Sequence, residues 1–572
     1  MKSPAFQQTS SIAFAWKNFL LYWLIGMFPA YFLTSYFSYF FSTLFQFLFI
    51  GLIFQCLCGL TAYVLLEKAV ARSDFQWRSN WTTVLILCLA VTIDIAATRL
   101  VLRFPNLFNQ RIIFMEAASF ARFAALIIPS MVGSAFVAQW MQRSGYFIRM
   151  EEIRLWKFIQ QNLPGILLAV SFFFLYFVLA QCINFPGYNT VDRFFDTDIS
   201  EWLSRLAYIT PKQFMARAVH PAILIFLRPL VELIAIFLHG DKIQAVFLLN
   251  TCTGAAGVFL MWLTAKKISD NTPFSLIIAF LLGIGTPHLL LSSMIETYAY
   301  SAFALILFVY LLVSDRTDLK YTIPVGILVF GITITNIVQT CILYLFKKPR
   351  IKVIFQYIVA VLFITLILNI VQVKVYHYVK ALYDLNDLIF EQKYTINFME
   401  HGWVLSGRFW LMVRSILLYA VVAPKPFILT TEIGTILPTF SVFKITIGEF
   451  HVAGYTGFSD LTVKVWMVIL FVGCVLFVWN LIKSPKQMII PLGLVLCMGF
   501  NLLLHTFWGD DPMLYSPDWA YALVLFVAYA LQKWADKKWL QILFIVFLGC
   551  VAYVNLSLIQ LMIQTTLPFY AN

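Results

Sequence analysis

Long apolar runs separated by short charged loops follow one another along the chain from residue 18 onwards. A helix needs about 20 apolar residues to cross the hydrocarbon core of a bilayer. Runs of suitable length occur about 13–15 times, so the pattern predicts an all-α, polytopic transmembrane helical bundle. The runs are too long and too continuous for the strands of an outer-membrane barrel.

The order of the runs predicts two parts. Four spans, near 18–38, 43–66, 81–102 and 112–140, precede a charged stretch and predict an N-terminal four-helix module, residues 1–160. Residues 161–572 then form the main transmembrane domain.

Three segments of the main domain depart from the simple pattern. If residues 219–238 and 322–346 were simple spans, the basic loops would not all fall on the cytoplasmic side of the membrane. These segments also contain Pro and Gly, which predicts broken or re-entrant helices there. Residues 372–460 lack long apolar runs and predict an extracytoplasmic region, with short surface helices near 374–391 and 405–421 and an excursion after Pro424.

Composition supports the membrane class. Hydrophobic residues make up 61% of the 572 residues and charged residues 12%, whereas a soluble protein carries about 25% charged residues. The net charge of +13 is spread over short loops rather than gathered in one patch, which follows the positive-inside rule and does not predict nucleic-acid binding. The basic loops that mark the cytoplasmic side lie at 265–271, 314–320, 347–352, 483–486 and 532–539.

The stretch "RFFDTDISEW", Arg193–Trp202, places several carboxylates just after the predicted span 163–183. Asp198 and Glu201 have the spacing of a capping box for a short amphipathic helix. A carboxylate at the top of a cavity can also act as a general base, and both interpretations stay open at this point.

Other polar residues near predicted outer span ends have similar alternatives. Glu296 is either a solvated loop carboxylate or a group that binds a sugar hydroxyl. Arg408 and Arg414 either snorkel at the surface or bind a phosphate. We predict that these side chains meet in one polar pocket at the extracytoplasmic face. The candidates are Asp192, Asp196, Asp198, His220, Glu296, Arg408, Arg414, His505, Asp510, Asp511 and Tyr515.

A set of motifs then adds a family expectation. The order of "FFDTD" (194–198), "HPAILIFLRPL" (220–230), "SSMIETYAYS" (292–301), "GITITN" (331–336) and "HTFWGDDPMLYSPDW" (505–519) resembles the GT-C superfamily of membrane glycosyltransferases. The resemblance covers roughly residues 160–562, and the first 160 residues resemble an added helical module.

The resemblance implies transfer of a sugar from a polyprenyl-phosphate donor to a glycan, lipid or protein acceptor, outside a bacterial plasma membrane. It implies that an acid of the first outer loop is the base, which is Asp198 here, with Asp196 as second and Asp192 as third choice. The other candidates would bind substrate in an inverting reaction. Some relatives use Mg²⁺ or Mn²⁺, but the spacing of the aspartates here does not require a metal.

Two other functions remain as alternatives. A transporter or flippase of lipid-linked glycans would carry its acidic residues along a path at mid-membrane depth, often within repeats. A non-catalytic assembly subunit would use the N-terminal spans to bind a partner. The absence of a visible repeat and the outer-face clustering favour the transferase.

Overall fold

A computed structural model describes residues 15–41, 43–71, 81–146, 149, 152–184, 193–207, 216–395, 402–429 and 438–570. Helices account for most of these residues, and the predicted all-α polytopic bundle is confirmed. In chain order the helices are α1 (Trp16–Phe40), α2 (Leu44–Ala71), α3 (Trp81–Val101), α4 (Ala117–Ala125), α5 (Ile127–Arg143), α6 (Arg154–Ile183), α7 (Ile199–Ala207), α8 (Ile223–Phe237), α9 (Lys242–Ser269), α10 (Thr272–Ile284), α11 (Thr286–Ser293), α12 (Tyr298–Val313), α13 (Leu319–Ile332), α14 (Ile337–Lys347), α15 (Ile351–Val375), α16 (Leu385–Phe390), α17 (Gly402–Arg414), α18 (Phe458–Lys483), α19 (Ile489–Phe507), α20 (Pro512–Tyr515), α21 (Pro517–Leu531) and α22 (Lys538–Tyr570).

Within the described residues, nine helices are long and apolar enough to cross a membrane, or up to eleven if each bent pair is one span. The bent pairs are Gln110–Ala125 with Ile127–Arg143, at 42°, and α10 with α11, at 60°. The shorter apolar helices α12 and α13 account for further predicted spans. Many apolar side chains on these helices are exposed, including Phe355 and Phe471. The chain is therefore a multi-pass integral membrane protein whose helices contact lipid.

The chain divides into two compact units. The first unit comprises the described parts of Met1–Asn80 and Asn109–Leu163, and the second those of Trp81–Phe108 and Pro164–Asn572. In the first unit α1 packs along α2, and α2 packs against α5. The helices α1 and α2 approach closely because Gly59 lies against the indole of Trp23, where a Cβ would come within 2.2 Å of Nε1.

The division differs from the predicted boundary at residue 160. The third helix of the predicted four-helix module, α3, belongs to the second unit, where it packs against α10 and α22. Thr82 in its first turn donates a hydrogen bond to Gln541 at 2.8 Å. Farther along α3, the hydroxyl of Ser171 donates to the Asp94 carboxylate at 2.5 Å. Within the described residues, α3 therefore groups with the second unit, whereas α1, α2, α4 and α5 belong to the first.

The two segments predicted to be broken or re-entrant, 219–238 and 322–346, pack against each other. α13 ends at Ile332, and its Gly331 carbonyl accepts a hydrogen bond from the Ala222 N–H at 2.9 Å. The Gln372 side chain in α15 accepts from the Leu224 N–H at 2.9 Å, in the first turn of α8. Backbone groups that lack a partner where α8 begins are therefore hydrogen-bonded to α13 and α15. Apolar surroundings require such partners, because no water is present to supply them.

The mixed region 372–460 contains short elements. Of the predicted surface helix near 374–391, only α16 forms a separate α-helix, and a 3₁₀ turn, Glu391–Tyr394, follows it. The predicted helix near 405–421 corresponds to α17, which continues into a π-helical turn, Ser415–Tyr419. The excursion after Pro424 is a pair of antiparallel hairpins that the sequence pattern did not predict. Their strands are β1 (Phe427–Leu429), β2 (Thr439–Ser441), β3 (Phe443–Thr446) and β4 (Glu449–Val452).

A buried amide in α22 ties the helix break between α10 and α11 to the π-helical turn. The Asn555 side chain donates to the carbonyls of Ile284 and Val421, at 2.7 and 2.9 Å, and accepts from the Ala423 N–H at 2.9 Å. Its exposed fraction is 1%. Water therefore cannot replace these bonds when the amide is lost.

We predict that Asn555→Leu destabilises the folded protein by about 1–3 kcal/mol, because it leaves three buried backbone groups unsatisfied. Thermal unfolding of the purified full-length chain in a neutral detergent measures the effect. Ser557→Ala is the matched control on the same helix, since Ser557 is exposed and bonds only within its own helix. Equal melting temperatures for the two variants would contradict the role of Asn555.

Candidate functional site

The loop Phe194–Asp198 is held by the edge of strand β2. Phe194 pairs with Phe440 in a parallel bridge, the Phe195 N–H donates to the Phe440 carbonyl at 2.9 Å, and the Phe440 N–H donates to the Arg193 carbonyl at 2.7 Å. Phe195 and Asp196 adopt φ values of 55° and 64°, which are strained for residues other than Gly. The turn buries Phe194, Phe195 and Thr197 and leaves Asp196 and Asp198 half-buried.

Asp511 connects the hairpins to the turn that follows α19. Its carboxylate accepts hydrogen bonds from the Ser441 hydroxyl at 2.8 Å, the Val442 N–H at 2.9 Å and the Met513 N–H at 2.9 Å. Burial raises the pKa of this carboxyl, although the hydrogen bonds oppose the shift. Asp511 caps α20 and supports β2, so its oxygen atoms serve the structure rather than a ligand.

Asp198 meets Glu296 across the loop between α11 and α12. The Asp198 N–H donates to the Glu296 carboxylate at 2.5 Å, and the Thr297 N–H donates to its second oxygen at 3.0 Å. A capping box would offer that Asp198 N–H to Glu201, but Glu201 pairs with Arg205 instead. Burial and the nearby Asp198 carboxylate raise the pKa of Glu296 above its ordinary value. The two acids therefore form an interacting pair.

Two amide side chains hold the Glu296 loop in place. Asn250 of α9 donates to the carbonyls of Ser292 and Met294, at 3.0 and 2.9 Å. Asn184 accepts from the Ile295 N–H at 3.1 Å and donates to the Ser293 carbonyl at 2.6 Å. The carbonyls at the end of α11 that have no partner within the helix are therefore hydrogen-bonded without water. The same bonds fix the position of Glu296.

Tyr298 and Tyr515 join this acid pair to a second group of polar residues. Their rings meet edge to face, with centroids 5.6 Å apart. Tyr515 also stacks on His505, with ring centroids 4.5 Å apart. Asp196 and Asp510 lie close enough to Tyr515 to interact with it electrostatically, and burial followed by these charges raises the pKa of the Tyr515 hydroxyl. Asp196 therefore belongs to the same site as Asp198.

Arg408 is a buried cation that orders the turn at residues 505–509. Its exposed fraction is 3%. Its Nε donates to the His505 carbonyl at 2.9 Å, and its Nη2 donates to the Gly509 carbonyl. Asp196, Asp510 and Asp511 surround it with negative charge. The side chain therefore does not extend to the surface, and its guanidinium is already hydrogen-bonded rather than available to bind a phosphate directly. Its positive charge still interacts electrostatically with the other groups of the site.

His220 lies beside the short helix α7 that follows Asp198. Its ring meets the Trp202 ring edge to face at 5.3 Å. Its Nδ1 lies 2.6 Å from the Ile332 carbonyl, and because a carbonyl only accepts, this nitrogen carries the proton. Burial, with help from Arg205 and Arg217 and against that hydrogen bond, lowers the pKa of His220 to about 4. The imidazole is therefore neutral at physiological pH.

The structure brings most of the sequence candidates together and leaves Arg414 at their edge. Arg414 is exposed and reaches the edge of the site through Tyr419, to which it is hydrogen-bonded. Asp192 lies outside the described residues. The candidates that share one neighbourhood are Asp196, Asp198, Glu296, Arg408, His505, Asp510, Asp511 and Tyr515, with His220 adjoining through Trp202.

A buried polar chain beneath the acids was not predicted. The Ser301 hydroxyl donates to Asp518 at 2.8 Å, and the Asn336 amide donates to Ser301 at 2.7 Å. The Gln339 amide donates to Asn336 at 2.7 Å and accepts from the Tyr521 hydroxyl at 2.9 Å. The sequence signal was the presence of polar residues inside apolar runs, at the ends of the motifs that contain Glu296 and Tyr515.

Several buried polar side-chain atoms near the acids have no hydrogen-bond partner within the described part of the chain. They include the hydroxyls of Thr197 and Thr297, Nδ1 of His505 and the indole Nε1 of Trp519. Such atoms are costly to leave unsatisfied, and a hydroxyl-rich ligand would satisfy them. The described residues contain no group of three or more His, Cys, Asp or Glu side chains that could hold a metal ion.

No family model matches the chain, and no curated protein or solved structure matches it either. The class that the fold defines is a multi-pass helical membrane protein.

We predict that Asp511→Asn destabilises the protein by at least about 2 kcal/mol, because an amide cannot accept all the bonds that this carboxylate accepts. Asp510→Asn is the matched control, since Asp510 is the neighbouring residue and is half-buried rather than buried. Limited proteolysis within 438–452, together with thermal unfolding, measures the loss. Hairpins equally protected in both variants would contradict the role given to Asp511.

The lowered pKa of His220 predicts a specific acid sensitivity. The unfolded chain binds a proton near pH 6.5 and the folded chain only near pH 4, so the folded state loses stability as pH falls between these values. We expect His220→Asn, which keeps the hydrogen bond to Ile332, to remove a loss of about 3 kcal/mol over this window. Unfolding measured at a series of pH values tests this, and parallel curves for the two proteins would contradict it.

Proposed function

We propose that this protein is an integral membrane glycosyltransferase that moves a sugar from a polyprenyl-phosphate donor to an acceptor hydroxyl. The observation that carries the proposal is the contact between Asp198 and Glu296, beside the group of Asp196, Arg408 and Tyr515. Acids distant in sequence meet at one site that is bordered by apolar helices. This arrangement is what a reaction on a lipid-borne sugar requires, since one half of the substrate is polar and the other is apolar.

The two acids have different environments, which supports different roles. Asp198 is half-buried and can reach a substrate, whereas Glu296 is 3% exposed and is engaged by two backbone N–H groups. We assign Asp198 as the general base. Glu296 is a positioning residue, because its carboxylate holds the backbone of Asp198.

The proposed reaction is a single displacement. The acceptor oxygen forms a bond to the anomeric carbon, and the bond from that carbon to the phosphate oxygen breaks. The electron pair leaves with polyprenyl phosphate, and the acceptor proton passes to Asp198. A positioned base of this kind contributes about 10²–10⁴-fold to the rate. One attacking and one leaving group on opposite faces of the sugar would invert the anomeric configuration.

The aromatic residues and Arg408 suit the donor. Trp508 is half-buried and packs against Tyr515, with ring centroids 5.5 Å apart. Sugars pack their apolar faces on such rings. Arg408 contributes positive charge near the leaving phosphate while its hydrogen bonds hold the 505–509 turn. Positive charge that is ordered in advance stabilises a developing phosphate charge.

The orientation of the site follows from charge. The acids lie near the first residues of α12 and α21, and the basic loops 314–320 and 532–539 follow the last residues of the same helices. The positive-inside rule assigns those loops to the cytoplasm. We therefore propose an extracytoplasmic active site, and the resemblance to bacterial membrane glycosyltransferases favours a bacterial plasma membrane.

One observation favours translocation of a lipid-linked glycan as a second candidate. Asp94 lies within α3, a candidate span, and accepts a hydrogen bond from Ser171. A carboxylate inside a membrane span is often part of a transport path. The same residue provides a matched control for the transferase.

We predict that Asp198→Asn lowers sugar transfer at least about 100-fold, because the amide cannot take a proton. The purified full-length chain is incubated with a panel of polyprenyl-phosphate sugars and a lipid extract as acceptor, and released polyprenyl phosphate is measured. Asp94→Asn, the same change within a span, should retain transfer.

Unchanged release by Asp198→Asn would contradict the role of Asp198 as base. No release by the wild type with any donor of the panel would contradict the transferase. In proteoliposomes that contain a lipid-linked glycan, translocation abolished by Asp94→Asn alone would favour the transporter instead.

A further inference from the structure

A second polar site lies at the opposite end of the helices that carry the acids. A cavity of about 440 Å³ is lined by four lysines, Lys267, Lys347, Lys486 and Lys533. They come from α9, α14, the 3₁₀ turn before α19 and the 3₁₀ turn after α21. Lysines that are scattered in sequence therefore converge on one concave surface.

Three helices fix the separation between this cavity and the acidic site. Val313 ends α12, Ile489 begins α19 and Tyr529 lies near the end of α21, and all three line the cavity. The other ends of the same helices carry Tyr298, His505 and Asp518. Helices of 15–19 residues span about 22–28 Å at 1.5 Å per residue. The cavity thus lies at the membrane face that the positive-inside rule predicts to be cytoplasmic.

Little acidic charge offsets the lysines. Lys347 pairs with Asp315 at 2.7 Å, but the Asp315 side chain is 82% exposed, and such surface pairs are weak. Lys533 donates to the neutral amide of Asn480 at 2.8 Å. Within the described residues, Lys267 and Lys486 take part in no ion pair. The cavity lining therefore holds more basic than acidic side chains.

Apart from Gln487 and Gln532, the rest of the lining is apolar. Ile268, Val313, Ile489, Ile490 and Tyr529 form the part of the wall between the lysines. A small hydrated anion would contact these residues poorly. A molecule with phosphate oxygens at one end and an apolar portion at the other would match both parts of the wall.

We propose that this cavity binds a phosphate group, and specifically the headgroup of an anionic phospholipid from the cytoplasmic leaflet. Four ammonium groups around one cavity match the several oxygens of one or two phosphates. Basic pockets between membrane helices on the cytoplasmic side recognise anionic lipid headgroups by this chemistry. The site is separate from the acids and does not depend on the proposed transferase activity.

The test compares two double variants of the full-length chain. Lys267→Gln with Lys486→Gln removes two cavity lysines. Lys352→Gln with Lys537→Gln is the matched control, because both residues are exposed basic residues of nearby loops or helix ends that do not line the cavity. Each protein is titrated in neutral detergent with phosphatidylglycerol, with phosphatidylcholine and with inorganic pyrophosphate. Bound lipid is measured by native mass spectrometry and stabilisation by the shift in melting temperature.

We expect phosphatidylglycerol to bind and stabilise the wild type and the control, and the cavity variant to bind it about tenfold more weakly. Phosphatidylcholine should give no comparable stabilisation. Stabilisation by pyrophosphate alone, lost in the cavity variant, would retain the phosphate site but identify a soluble ligand. Equal binding by the cavity variant and the control, or no effect of either anion on the wild type, would overturn the proposal.

Discussion

Backbone groups that lie within the apolar bundle must find partners inside the protein, and this constraint shapes the rest of the structure. The chain interrupts its helices after Ile284, Ser293 and Ile332. Each interruption exposes carbonyls and N–H groups that no water can satisfy. Buried amides such as Asn250 and Asn555 supply the missing partners. Burial of these polar side chains costs free energy, but their hydrogen bonds make the helix interruptions possible.

The breaks in turn produce the candidate site. Because α11 ends at Ser293 and α12 begins at Tyr298, the four residues between them form a buried, non-helical connection. Glu296 is one of these residues, and it reaches the backbone of Asp198. Asp511 and Arg408 then fix the hairpins and the 505–509 turn around the same place. Several polar residues thus stabilise the loops around the site, and Asp196 and Asp198 remain partly accessible between these loops.

The sequence predicted the spans and the clustering of acids, because run length and charge are local properties. It did not predict that α3 joins the second unit, because an apolar helix surface does not indicate which helix it packs against. It also missed the hairpins, because their strands have only three or four residues. Gly448, which has a φ of 78° in the turn between β3 and β4, was the residue that could have indicated the second hairpin. Asp510 and Asp511 are identical neighbours in sequence. Only the position of Ser441 shows which of them is structural.

The acid pair has a consequence for proton transfer in the proposed reaction. Two carboxylates that lie together in a partly buried place do not both ionise easily, because each charge disfavours the other. The raised pKa of Glu296 means that the pair tends to carry one negative charge rather than two. Asp198 is the more exposed member, so it can hold that charge and face an acceptor hydroxyl. When Asp198 takes the acceptor proton, the pair becomes neutral, and the negative charge leaves with polyprenyl phosphate. The buried Glu296 therefore leaves the more exposed Asp198 as the one ionised carboxylate of the pair, which is the form that a general base requires.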